Sequence, residues 1–352
     1  MSELSQKAIG LLKQLIETPS LSREEQDTAA LLVAFFEKEG IATERLGHNI
    51  WARNQHFDPA KPTILLNSHQ DTVKPNAGYT RDPFAAAEEG GKLYGLGSND
   101  AGGCLVSLIA TFLHYYNKPD LNYNLVMAAS AEEEISGKAG MENLVPHLPK
   151  IDFAIVGEPT QMHLATAEKG LMVLDCVVRG KAGHAARDEG ENAIYKVLPI
   201  IDWFRSFEFP KVSAQLGPVK MSVTVIEAGK QHNVVPDECR LVVDVRTTDA
   251  YSNEETLAII RQYVDCEVTP RSTRLNPSGI PDSHPIVQAG LALGRETYGS
   301  PTLSDQALMP FPSLKMGPGD SARSHTADEY IFLSEIEEGI KTYIELLKDI
   351  LN

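Results

Sequence analysis

Three times in its first half the chain runs through a short, largely apolar stretch and stops on a group that can hold a proton or a metal. Residues 63–66 lead into "NSHQD", residues 125–129 into "SAEEE", and residues 153–156 into "GEPT". Apolar runs of this length, bounded by polar residues, mark strands buried on both faces rather than the half-wet strands of a surface sheet. Between the first two lies "AGGCLVSLIATFLHYY", which is too long for a strand and reads as a buried helix. Buried strands alternating with helices predict an α/β fold, with a mixed, largely parallel sheet covered by helices. In such sheets chemistry gathers beyond the carboxyl ends of the strands. That is where His69, the triplet Glu132, Glu133 and Glu134, and Glu158 fall.

The rest of the chain sorts around this core. Apolar spacing predicts a helix over 5–18, and "SREEQ" offers Ser22 as N-cap with Glu25 as its capping-box partner for a helix ending at Gly40. Short strands are expected at 42–46 and 49–53, and a helix in "KAGMENLVPHL". After Gly170 the texture changes. "LMVLDCVVRG", "VKMSVTVIEAG" and "CRLVVDVRTTD" read as longer strands, with helices at 191–206 and 252–264. This β-α-β-β-α-β order predicts a ferredoxin-like α+β unit over 171–275, inserted into a catalytic metal-binding domain made of 1–170 and 276–352. A helix at 284–298, a strand at 313–316 and a helix at 332–350 complete the outer domain.

Composition excludes several partners. The chain has 352 residues and a formal net charge of −16, the opposite of what phosphate binding requires, so nucleic acid is not expected. No stretch approaches the ~18 uninterrupted apolar residues of a membrane span, and membranes are not expected as partners either. The N-terminal "MSELSQKAIGLLKQLIE" is amphipathic and lacks a signal-peptide pattern, which points to a cytoplasmic protein. Cys104, Cys176, Cys239 and Cys266 form no C-x-x-C pair and read as small core residues.

The remaining candidates are polar groups at turns. His69 and Asp71 are two apart and share a side of an extended backbone; a ligating histidine commonly gives its other ring N–H to a carboxylate. Asp100 sits in "YGLGSNDAGG" before the buried helix, where an aspartate is by default a helix cap. His325 follows the loop "GPGDSARS", and no G-x-S-x-G elbow accompanies its serine. Histidine and carboxylate donors without thiolate suit Zn²⁺ or related divalent ions at an open site, and two such ions can share a carboxylate.

Five segments in this order, "SHQD", "GLGSNDAGG", "SAEEEISGKAGM", "VGEPT" and "SHTADEY", resemble the dinuclear metallohydrolases of peptidase family M20, which include acetylornithine deacetylase, succinyl-diaminopimelate desuccinylase and aminoacylase. The resemblance covers essentially the whole chain. It implies two divalent metal ions, most of all zinc, with cobalt or manganese as alternatives. One would be held by His69 and Glu158, the other by Glu134 and His325, with Asp100 bridging and Asp71 orienting His69. Ile135 and the Gly140-Met141 pair favour the register in which Glu133 is the general base and Glu134 the ligand; a slip by one would assign Glu132 and Glu133 instead. "GKAGHAA" maps His184 onto the residue that completes the partner subunit's active site in this family, implying a homodimer through the inserted lid and dimerisation domain. "HNVVPDECRLVVDVR" maps Asn233 and Arg246 onto the residues that bind the substrate carboxylate, a role that suits the arginine fork; the plain alternative for Arg246 is a surface strand residue. The chain departs from the family at Leu96, where an arginine is common, and at Gly102, where a lysine is common.

The activity implied is hydrolysis of the amide of a small-molecule N-acyl amino acid, N-acetyl- or N-succinyl-ornithine or -citrulline of arginine biosynthesis. An aminopeptidase or dipeptidase, or a succinyl-diaminopimelate desuccinylase, on the same scaffold is the alternative. A silenced metal-binding dimer protein would have lost a ligand or the base, and none is lost here.

Overall fold

The computed structural model describes residues 2–352 and divides into two compact units. The first runs to Thr166 and returns as Gly279–Tyr298 and Ser304–Asn352. The second is Ala167–Ser278 with Gly299–Leu303, wider at both ends than the 171–275 expected. No described helix is long and apolar enough to cross a membrane.

The first unit opens with α1 (Glu3–Glu17), α2 (Gln26–Lys38), β1 (Glu44–Leu46), β2 (Asn49–Arg53) and β3 (Thr63–His69). It continues through β4 (Ala87–Glu89), β5 (Lys92–Tyr94), α3 (Gly103–Tyr115), β6 (Asn124–Ser130), α4 (Met141–Leu144), β7 (Phe153–Val156) and β8 (Leu164–Glu168). The second unit contains β9 (Gly170–Arg179), β10 (Gly183–His184), α5 (Ala193–Ser206), β11 (Lys220–Ala228), β12 (Val234–Val235), β13 (Glu238–Thr247), α6 (Asn253–Tyr263) and β14 (Glu267–Pro270). After β15 (Ser278–Gly279) come α7 (Pro285–Ala292), β16 (Thr297–Ser300), β17 (Ser313–Lys315), β18 (Tyr330–Phe332) and α8 (Leu333–Leu351).

The main sheet has the order β1-β2-β6-β3-β7-β17-β8-β15, with β16 also on β8. Its centre, β6-β3-β7-β17, is parallel, while β2 and β8 join it antiparallel. The continuous apolar runs are explained by burial on both faces. Ile64 and Leu66 face a core shared with α1, α3, α7 and α8, and Leu65 faces the opposite core with Trp51, Met141 and Leu144. Ile64, Leu65 and Leu66 are fully buried, and each burial is worth about 1.5–3 kcal/mol. Because the four central strands run the same way, their carboxyl ends lie along one edge of the sheet.

The second unit has the antiparallel order β11-β13-β9-β14 with α5 and α6 against it, the ferredoxin-like arrangement. Here the strands alternate: Met172, Leu174, Cys176 and Val178 of β9 and Cys239, Leu241, Val243 and Val245 of β13 face the helices. The residues between them are partly exposed.

Two expected elements differ. The helix expected over 284–298 ends at Ala292, where Gly294 turns left-handed (φ +74°) and Thr297 and Tyr298 begin β16. The capping box at Ser22 and Glu25 is not formed. Glu25 occupies the cap of α2 without a side-chain cap bond, and both side chains turn toward residues far along the chain.

Candidate metal centre

Six of the residues singled out in the sequence come together at the carboxyl edge of the parallel strands. His69 is the last residue of β3. Glu133 and Glu134 form a 3-10 turn after β6, and Glu158 lies two residues beyond β7. Asp100 lies in an irregular turn before α3, after Gly97 at φ +74°, a conformation favouring glycine, and its peptide bond to Ala101 is cis. His325 comes from the loop between β17 and β18.

Asp100 stands at the middle of the group. Its Oδ1 lies 3.4 Å from His69 Nε2, and its Oδ2 lies 3.7 Å from His325 Nε2. His325 Nε2 is 3.0 Å from Glu134 Oε2. Ligand atoms of His69, Asp100 and Glu134 lie within 4.8 Å of one another, as do those of His69, Glu133 and Glu158. His69 Nδ1–H donates to the main-chain carbonyl of Asp71 at 2.9 Å, leaving Nε2 directed at the cluster. The Asp71 carboxylate stands farther from that nitrogen, at 3.5 Å, and has other work. It accepts the amides of Glu133 (3.0 Å) and Glu134 (3.2 Å) and the hydroxyl of Ser22 (2.7 Å). Asp71 thus holds His69 chiefly through its backbone, and its side chain holds the glutamate turn.

The electrostatics are those of carboxylates crowded in low dielectric. Burial pushes Glu158 up to about 8, against the opposing pull of His69. Burial also lifts Glu133 well above the ordinary carboxylate range, with Glu158, Asp305 and Glu134 adding to the rise. Burial disfavours a charge on His69, yet hydrogen bonds it donates to the Asp100 and Asp71 carboxylates outweigh that and hold the imidazole well above its usual value. His325 is raised to about 9, first by Glu134. Nitrogen and oxygen donors within a few ångströms, with more negative than positive charge among them, fit divalent cations. His69, Asp100, Glu134, Glu158 and His325, with Glu133 beside them, could hold such ions.

Sequence reasoning missed three buried carboxylates around this cluster. Glu329 accepts the amides of Gly97 (3.0 Å), Asn99 (2.8 Å) and Asp100 (2.9 Å), fixing the turn that presents Asp100. Asp305 accepts from Asn67 Nδ2 (2.8 Å) and Ser130 Oγ (2.5 Å) beneath the ends of β3 and β6. Glu25 accepts the amide of Glu132 at 3.0 Å. Glu132 itself is left-handed (φ +55°), and its side chain lies against Gly137, where any Cβ would meet Glu132 Oε2. Glu329 closes "HTADE", Glu25 was legible only as a capping-box partner, and Asp305 had no signal in the sequence.

Of the two family departures, Gly102 has a steric cause. Leu96 is buried, lining a small cavity together with Leu12, Leu15, Ile16 and Phe84 and with Asp71 and Asp100. A Cβ at Gly102 would lie 2.5 Å from the Gly97 carbonyl oxygen and 2.6 Å from Leu12 Cδ1, which leaves no room for lysine.

The other three candidates belong to the second unit. His184 and Asn233 lie in and beside the two-stranded ribbon of β10 and β12, where Ala185 N donates to the Asn233 carbonyl, and both are exposed. Arg246 lies on β13 and spreads its fork over Asp244, with bonds of 2.9 and 3.1 Å.

The chain is similar to known proteins along most of its length. A putative [LysW]-lysine/[LysW]-ornithine hydrolase of Pyrobaculum aerophilum is 24% identical over 344 residues, covering 94% of each chain. The acetylornithine deacetylase of Buchnera aphidicola subsp. Schizaphis graminum is 27% identical over 317 residues, covering 83% of this chain and 82% of that one. Among solved structures, a Bacillus subtilis protein described as a dinuclear metal binding peptidase from the M20 family superposes with a TM-score of 0.75 at 17% identity, covering 99% of this chain and 98% of that one. The model of peptidase family M20/M25/M40 matches residues 65–349, a span that begins within β3 and ends within α8, and the chain belongs to that family of metallohydrolases.

Proposed function

We propose that the protein hydrolyses the amide of an N-acyl amino acid, with N-acetyl- or N-succinyl-ornithine or -citrulline as the substrate class, and that it uses two divalent ions, zinc first. The observation that carries this reading is Asp100, which turns one oxygen toward His69 and the other toward His325. His69, Asp100, Glu134, Glu158 and His325 would hold the ions, which would supply Lewis-acid polarisation of the scissile carbonyl and of a water. Glu133, whose carboxyl burial lifts above the ordinary carboxylate range, accepts the water's proton and later delivers it to the leaving amine. Water adds to the acyl carbon, the C–N bond breaks, and the products are a carboxylate and a free amine. Glu134 serves as ligand in this reading, and Asp71 keeps the two glutamates in their separate places.

In the same proposal the protein works as a homodimer through the second unit, and His184 of a second copy stabilises the oxyanion. Asn233 and Arg246 take the substrate carboxylate, with Arg246 exchanging its Asp244 partner for the ligand. The relative named acetylornithine deacetylase supports the acyl-amino-acid class, and the neighbour described as a peptidase supports the alternative of a peptide substrate.

The test is a substrate panel with metal-loaded protein: N-acetyl and N-succinyl forms of ornithine, citrulline, lysine and diaminopimelate, with dipeptides alongside. Cleavage of an acylated ornithine or citrulline is expected, and cleavage of dipeptides alone overturns the substrate class. Glu133→Gln should lower turnover by about 10²–10⁴-fold with metal content unchanged. Normal activity in that variant would remove Glu133 from the role of base.

A further inference from the structure

The three amides of the glutamate triplet all donate to buried side-chain carboxylates. Glu132 N donates to Glu25 Oε1 at 3.0 Å, Glu133 N to Asp71 Oδ1 at 3.0 Å, and Glu134 N to Asp71 Oδ2 at 3.2 Å. Two buried carboxylates therefore take three successive N–H groups, a reversal of the usual nest in which backbone amides cradle a free anion. Asp71 reaches its amides from two residues beyond β3, the strand beside β6. Glu25 reaches across 107 positions of sequence, from the cap of α2.

Glu25 has features that a simple helix cap would not. Its side chain is wholly buried, and it makes no cap bond to α2. Its Oε1 also takes the amide of Arg23 at 2.8 Å, which curls residues 23–25 so that the carboxylate faces the triplet. In the same curl Ser22 donates to Asp71, so the segment before α2 grips both carboxylate arms at once. Glu132 sits in a left-handed conformation that non-glycine residues rarely adopt, and the bond to Glu25 restrains it there.

We infer that Glu25 is a positioning residue: by holding the Glu132 amide it sets the turn that sends the next two side chains, Glu133 and Glu134, into the cluster. Without that hold the first residue of the turn relaxes toward an ordinary backbone conformation, and the two glutamates lose their separate directions. The inference rests on the reading of Glu133 as base and Glu134 as ligand.

The test uses the full-length protein with Glu25→Gln and Glu25→Ala. Glutamine keeps an acceptor oxygen at the same reach and should behave as the parent. Alanine, checked as folded by circular dichroism, should lower kcat by about 10–100-fold with KM nearly unchanged, and weaken one of two zinc sites by a similar factor in calorimetric titration of the chelator-stripped protein. If alanine does not fold, Glu25→Met fills the same space without an acceptor and replaces it. A folded variant lacking the acceptor, with kcat and both zinc affinities within about twofold of the parent, overturns the inference. The zinc titration separates this outcome from a failure of the functional reading: an active Glu133→Gln variant removes the base, while a lost zinc site in the Glu25 variant still supports the positioning role.

Discussion

Replacing Asp305 by asparagine should make the metal-free protein more stable at neutral pH, although it removes a buried charge that accepts two hydrogen bonds. Asp305 is 3% exposed, and Asn67 Nδ2 and Ser130 Oγ both donate to the same oxygen, Oδ2. Burial lifts its carboxyl from the ordinary 3.8 to about 6; the two donors and His69 pull the other way, and Asp71 adds to the rise. The folded state therefore holds a proton that the unfolded chain has released. The stabilisation linked to that proton is complete below about pH 3.8 and is lost as the pH climbs through about 6. A shift of about two units corresponds to about 3 kcal/mol of charge penalty at neutral pH. Asparagine offers one amide oxygen to both donors and carries no charge, so Asp305→Asn should recover up to about 3 kcal/mol at about pH 7.5. Its advantage should shrink by between about 1 and 2 kcal/mol on moving to about pH 5. The assay is urea unfolding of chelator-stripped protein followed by tryptophan fluorescence. Trp203→Phe in every sample leaves Trp51, in the core beneath the main sheet, as the sole reporter, since the chain has two tryptophans. An asparagine variant less stable than the parent at neutral pH, or a difference that does not move with pH, would refute the reasoning.

Two further outcomes follow from features described above. Glu329→Gln keeps one acceptor for the amides of residues 97, 99 and 100 but sets an amide donor against at least one of them; it should cost about 1–3 kcal/mol and loosen metal retention against a competing chelator. Unchanged stability and retention would show that the clamp does not hold Asp100. β11 is an edge strand exposing Val225 and Ile226, and α5 exposes Tyr195 and Leu198, so Leu198→Glu should shift sedimentation toward monomer and lower activity in parallel. A parent protein that is monomeric and fully active at assay concentration would refute the trans role of His184.

What could be read in the sequence was what each residue carries locally. His69, Glu134 and Glu158 follow apolar runs that can only be buried strands, so the edge on which they gather was legible before any contact was known. Asp100 and His325 needed the ordered motifs, because a glycine-rich turn and a polar loop do not announce their neighbours. Ser22 and Glu25 were legible as a pair but were assigned to the wrong task. S-x-x-E ahead of an apolar helix is a sound cap signal, and here the same two side chains are drawn off by Asp71 and by the Glu132 amide. Asp305 gave no signal, since its partners Asn67 and Ser130 lie 238 and 175 positions away. The helix expected over 284–298 was cut short by Gly294, whose left-handed turn overrides the spacing of the apolar residues around it.

The sheet order has a consequence for how such a chain is made. β7 and β8 follow one another in sequence, yet β17 lies between them. As the chain leaves the ribosome, β7 emerges with its outer edge bare, and it stays bare while the whole ferredoxin-like unit is synthesised and folds. An unpaired apolar strand edge is a template for association with other chains. The stretch between β8 and β17 is therefore a period of exposure as well as a second unit. The nascent chain's greatest vulnerability to aggregation should fall in that period and close when residues 313–315 slot into the gap.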